Sequence, residues 1–121
     1  PGSYGAFTAG DIVSVALDCD NSAIYFAKNG VWQNSGVPTS GASKTGAQTL
    51  TTPEVRSSGY QFWVPGLCYF DGGNSGTMQI NFGQPTFTIA SSNSDANGYG
   101  SFEYAVPSGY YAICSKNIGQ Y

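Results

Sequence analysis

Gly10-Asp11-Ile12-Val13-Ser14-Val15-Ala16-Leu17-Asp18-Cys19-Asp20-Asn21-Ser22-Ala23-Ile24-Tyr25-Phe26-Ala27-Lys28-Asn29-Gly30-Val31-Trp32 decides the fold. It reads as two strands joined by a tight turn, with a second turn directly after them. Val13, Val15 and Leu17 alternate with Ser14, Ala16 and Asp18, the period of a strand with one buried and one wetter face. The larger apolar set is assigned to the core. Asp20-Asn21-Ser22 supplies residues that tolerate positive φ and bond their own backbone. The chain returns through Ile24-Tyr25-Phe26 and breaks at Asn29-Gly30, the strongest short turn dipeptide.

The 121 residues suit one domain. Hydrophobic residues make up 40% and aromatics 15%, enough for a core, whereas charged residues are only 9%. Gly, Ser, Thr and Asn supply about 40% of the chain, so neutral polar groups provide its solubility. Such surfaces suit secreted, cell-surface and virion proteins. Net charge is −3 and the four basic residues, Lys28, Lys44, Arg56 and Lys116, are scattered. That excludes the basic cluster a nucleic-acid binder needs. No apolar run is long enough to cross a membrane as a helix, and no signal peptide is evident. The opening Pro1-Gly2 suggests a processed product or a piece of something longer.

Outside the hairpin, the segment from Gln33 to Tyr60 is polar and reads as a sandwich-end crossing or a displayed loop. Gln61–Phe70 is apolar, with Pro65 marking an edge or bulge. Thr77–Phe82 alternates, which predicts a strand with Met78, Ile80 and Phe82 inward. Pro85–Ile89 reads as a short strand, and Phe102–Tyr104 and Tyr110–Ile113 as closing strands. The Ala90–Ser101 stretch between them is polar. No window has helical periodicity, so the pattern predicts an all-β antiparallel sandwich.

Chemistry is sparse. Without histidine, no Ser-His or Cys-His nucleophile can be assembled. Asp18 and Asp20 fit a turn better than a calcium loop, which needs more oxygen ligands. Glu54, Asp71, Asp95 and Glu103 lie in no motif that would pair carboxylates across a cleft. Cys19, Cys68 and Cys114 are too widely spaced for zinc and read as small buried hydrophobes. The reading is therefore non-catalytic, with no cofactor and no metal. Trp63 reads first as core. Trp32 follows a turn and can cap the sandwich or stack on a partner. Candidate binding residues are Trp32, Tyr60, Trp63, Asp71, Asn74, Asn93, Asp95 and Tyr99, with Asp71–Gly76 and Ala90–Ser101 as the recognition loops.

Several of these segments resemble the SPRY domain. They are Gly10-Asp11-Ile12-Val13, Val15–Asn21, Ile24–Gly30, Phe62-Trp63-Val64-Pro65-Gly66, Ile80-Asn81-Phe82-Gly83-Gln84-Pro85 and Val106-Pro107-Ser108-Gly109-Tyr110. The resemblance covers roughly residues 5 to 114, and Pro107–Ile118 is similar to the close of such modules in bacteriophage structural proteins. It implies a concanavalin-like jelly-roll β-sandwich over 1–114 with a tail or linker at 115–121. The early strands of the family, with their Tyr-Trp-Glu-like motif, have no counterpart here. The sandwich is thus expected to be incomplete at its N-terminal side, its missing strands supplied by preceding sequence or another subunit. The Ala90–Ser101 insert is a second departure.

The resemblance implies a binding and assembly module of a phage tail fibre, spike or decoration, located in the virion as part of a larger oligomer. Expected partners are other virion subunits or a host surface glycan or protein, with neither nucleic acid nor membrane insertion. The alternatives are a cytoplasmic SPRY adaptor binding a peptide, a carbohydrate-active jelly-roll enzyme, and a structural module that binds nothing else.

Overall fold

The computed structural model describes residues 4–51, 63–68, 73 and 76–120. Among them the fold is all-β and antiparallel, built on a four-stranded sheet. β1 (Val13–Asp18) pairs with β2 (Ala23–Lys28), and β2 also pairs with β3 (Val31–Trp32) and β4 (Gln48–Thr49). Among the described residues, helical structure is limited to two 3-10 segments, Gln33–Ser35 and Pro38–Ser43, and one four-residue helix, α1 (Ser115–Ile118).

Both expected turns form for local reasons. At the first, Asp18 accepts the Asn21 N–H at 3.0 Å and the Asn21 carboxamide at 2.8 Å. Ser22 takes a positive φ of 50°, as an Asx-type turn allows. At the second, Asn29 and Gly30 both lie at positive φ, 49° and 80°, which only such a dipeptide adopts cheaply. Asp11 ties this end down. It accepts from the Asn29 side chain at 2.7 Å and from the Thr8 N–H at 2.7 Å, and pairs with Lys28 at 2.9 Å. The Lys28 ammonium beside it, followed by the Thr8 and Asn29 donors, holds the Asp11 carboxyl well below the usual carboxylate range.

The strand period is as expected, but the covered face is the other one. The register puts Ala16 opposite Tyr25 and Asp18 opposite Ala23. Ala16, Ala23, Tyr25 and Ala27 are buried, whereas Val13 and Val15 are 47% and 57% exposed. The reason is shape. Three alanines clear space for one large ring, and Tyr25 fills it at 1% exposure, with Trp32, Ala47 and Tyr110 packed around the cluster. The Tyr25 hydroxyl meets Ser40 Oγ at 3.2 Å, so the ring's polar tip is satisfied as it is buried. Tyr110 closes the same side by donating to the Pro38 carbonyl at 2.8 Å. Burial, with Asp18 and Tyr25 nearby, pushes its phenol up to about 12.

Other expectations are corrected too. Thr77–Phe82 forms no strand, and Met78, Ile80 and Phe82 are exposed. Asn81 instead spends its carboxamide on the Ser101 carbonyl at 2.7 Å and the Gly83 N–H at 2.7 Å, bending the chain rather than extending a ladder. Pro85–Ile89 and Tyr110–Ile113 also lack strand pairing, and Phe102 contributes a single bridge to Asn93. Residues 63–68 of the apolar run are exposed coil, and its flanks 61–62 and 69–70 lie outside the described residues. Trp63 is 37% exposed rather than core. The cysteines are not buried hydrophobes either: Cys19 and Cys68 are exposed and Cys114 is half-buried, all with free thiols. Cys19 sits in the first turn, where desolvation and then the charges of Asp20 and Asp18 push its thiol up.

Truncating the central ring should be the most damaging single change on this side of the sheet. Tyr25→Ala should cost about 3–5 kcal/mol, whereas Tyr25→Phe should cost only about 1 kcal/mol for the lost Ser40 bond. Urea unfolding of the three proteins measures both, and equal losses would contradict this packing.

Candidate functional site

Two regions have the features of sites. The first is the outward face of the sheet. Register places Val13, Lys28 and Val31 in one row and Val15 with Phe26 in the next. Val31 is 66% exposed and Phe7 beside this end is also exposed. The N-terminal segment lies along part of the face. Tyr4 meets the Phe26 ring edge-on at 5.6 Å, and Lys28 donates to the Ala6 carbonyl at 2.7 Å. Between them is an apolar recess of about 230 Å³ lined by Tyr4, Phe7, Val13, Phe26, Lys28 and Gln33. β1 has one partner strand among the described residues, and its sequence places no lysine or proline along the open edge.

The second region is the polar stretch read as a recognition loop. It is closed upon itself. Asn93 and Phe102 exchange backbone bonds at 2.8 and 2.9 Å, and the Asn93 side chain also donates to the Glu103 carbonyl. Glu103 accepts from the Ala90 N–H and the Ser91 hydroxyl, both at 2.9 Å, and these donors hold its carboxyl below the usual range.

At the centre is Asp95, 6% exposed. One oxygen accepts from the backbone of Asn97 at 3.0 Å and Tyr99 at 2.9 Å. The other accepts from the Ala112 N–H at 2.9 Å and the Asn117 carboxamide at 2.7 Å. Burial works to raise the Asp95 carboxyl, but the donors from Ala112, Asn117, Tyr99 and Asn97 outweigh it and hold it below its ordinary value. Asn117 also donates to the Ala112 carbonyl at 2.8 Å and accepts from Asn97 at 2.8 Å.

The candidate residues divide accordingly. Asn93, Asp95 and Tyr99 are brought together, with Asn93 and Asp95 engaged inside the loop. Tyr99 lies at its rim, with the Lys116 ammonium 5.6 Å from the ring centroid. Trp32 packs against the Tyr25 cluster, and Trp63 lies in exposed coil. Tyr60, Asp71 and Asn74 lie outside the described residues. Sequence reasoning missed Asn117 and Lys116, and no local signal marks either. It also missed the outward valines, because it sent them inward. Among the described residues no three Cys, Asp or Glu side chains gather as a metal site, and no helix is long and apolar enough to cross a membrane. No family model, curated protein or solved structure matches the chain.

Asp95 should act as a structural clamp with an acid-side signature. Its contribution is complete above the ordinary carboxyl value of 3.8 and drains as the pH falls below it. Asp95→Asn keeps the shape but turns two acceptor sites into donors facing N–H groups, and should cost roughly 2–4 kcal/mol near neutrality. Urea midpoints across an acid pH series should fall less steeply for the variant than for the parent. Parallel curves would show that the carboxylate contributes nothing specific.

Proposed function

We propose that the chain is a non-catalytic assembly and binding module of a phage structural protein, such as a tail fibre, spike or decoration. In this reading it is one layer of a SPRY-like jelly-roll sandwich, and its partner is an apolar β-layer carried by another virion subunit. The observation that carries the reading is the outward face of the hairpin. Val13, Val15 and Val31 stand exposed in adjacent rows, beside an edge strand that carries neither lysine nor proline and whose one charge, Asp18, lies at its turn end.

The sequence resemblance agrees with this architecture, since it implies a sandwich whose early strands are missing and must come from preceding sequence or another subunit. The charge-poor surface supports a virion setting, where neighbours rather than solvent cover much of a subunit. Assembly is favoured over glycan recognition by the 90–103 loop. Its central carboxylate has both oxygens engaged by protein donors, which leaves little polar capacity for a sugar.

Lysine at Val15 and Val31 tests the reading without touching the Tyr25 side. Each fully buried valine is worth about 1.5–3 kcal/mol, so the double variant V15K/V31K should keep its unfolding midpoint but lose incorporation into the parent particle. Co-sedimentation with the other virion proteins measures this. Incorporation at the parent level would overturn the proposal.

A further inference from the structure

We propose that Asn97 is a self-modification site, where spontaneous deamidation at Asn97-Gly98 releases the Asp95 clamp. The backbone nitrogen of Gly98 gives up its proton and attacks Cγ of Asn97. The Cγ–Nδ2 bond breaks, ammonia leaves, and a five-membered imide forms. Water then opens either imide carbonyl, giving aspartate or isoaspartate. Nothing is oxidised or reduced, and the only co-reactant is solvent water.

The chain has two Asn-Gly pairs, and the fold treats them differently. At Asn29 the carboxamide is clamped at both ends, its nitrogen donating to Asp11 at 2.7 Å and its oxygen accepting the Ile12 N–H at 2.9 Å. The Gly30 backbone is pressed beneath Tyr104, whose ring carbon would lie 2.6 Å from a Cβ built there. Turning that peptide toward Cγ would drive it into the ring. At Asn97 the residue is exposed and, among the described residues, its carboxamide has one bond, from Nδ2 to Asn117 Oδ1 at 2.8 Å. Gly98, at φ +77°, has open space around it. Its N–H must release a single bond to the Asp95 carbonyl at 3.0 Å before attacking.

The location makes the change consequential. Aspartate at 97 would set a carboxylate against Asn117 Oδ1, acceptor against acceptor. Asn117 cannot answer by reversing its carboxamide, because its nitrogen already serves Asp95 and the Ala112 carbonyl. Isoaspartate would in addition lengthen the turn whose Asn97 and Tyr99 N–H groups hold Asp95.

Incubation in mildly alkaline buffer, folded and in urea, followed by peptide mapping for isoaspartate, tests the proposal. In urea both sites should convert at similar rates. In the folded protein Asn97 should convert about tenfold or more faster than Asn29, the ratio expected from the additional bonds and packing to be opened there. Comparable folded rates at the two sites, or an Asn97 that survives while the unfolded chain converts, would overturn it. The charge-separated deamidated pool should show faster hydrogen exchange at the Ala112 N–H than the intact protein. Unchanged exchange would overturn the link to the clamp. Asn97→Gln should abolish conversion at that site while leaving Asn29 as the internal reference.

Discussion

The placement of the Tyr25 ring is the constraint on which the rest of the structure depends. A tyrosine between Ala16, Ala23 and Ala27 can be buried only if something covers it and something bonds its hydroxyl. Trp32, Ala47 and Tyr110 pack against the ring's cluster, and Ser40 of the 3-10 segment Pro38–Ser43 meets the hydroxyl. Tyr110 then locks that segment from the distant end of the chain through the Pro38 carbonyl, 72 residues away. One bulky side chain among small ones thus determines which side of the hairpin faces inward. By doing so it sends the valines outward.

Two kinds of satisfaction follow from that choice. The polar half of the molecule is self-contained: Asp95, Asn117, Asn93 and Glu103 use their hydrogen-bonding capacity on the chain's own backbone, and no buried side-chain polar atom is left without a partner among the described residues. The apolar half is not. Val13, Val15, Val31 and Phe7 remain in solvent although the same chain buries Tyr25 almost completely. With only 9% charged residues, solubility in the free state rests on neutral polar groups. This imbalance, with the polar groups paired and one apolar face left in solvent, is the observation on which the proposed assembly role rests.

The legible parts of the sequence were the local ones. Asp18-Cys19-Asp20-Asn21-Ser22 and Asn29-Gly30 announce their turns because the turn chemistry lies in those residues themselves, and the strands between them follow. The buried face was not legible, since both faces of the hairpin carry apolar side chains and the deciding cover comes from Trp32, Ala47 and Tyr110, outside the paired strands β1 and β2. Thr77–Phe82 shows the opposite failure: its alternation is real, but a strand needs a neighbouring edge, and Asn81 draws the segment toward Ser101 instead. The Ala90–Ser101 stretch reads as a recognition loop because it is polar. Several of its polar groups prove to be spent on the chain itself, around one buried carboxylate, Asp95, whose partner Asn117 is 22 residues away. Of the candidate site, Asn93, Asp95 and Tyr99 were legible as members of one polar stretch, whereas the Asp95–Tyr99 bonds and the bonding of Asn93 to Phe102 and Glu103 were not.

Side-chain footprinting with hydroxyl radicals, on the isolated chain and on the assembled particle, tests the central claim most directly. It reads solvent access at each apolar residue without altering the protein. The account predicts that Phe7, Val13, Val15, Phe26 and Val31 are reactive in the free chain and become protected on assembly, while Tyr25 is protected in both. An outward face that stays as reactive in the particle as in the free chain would contradict it.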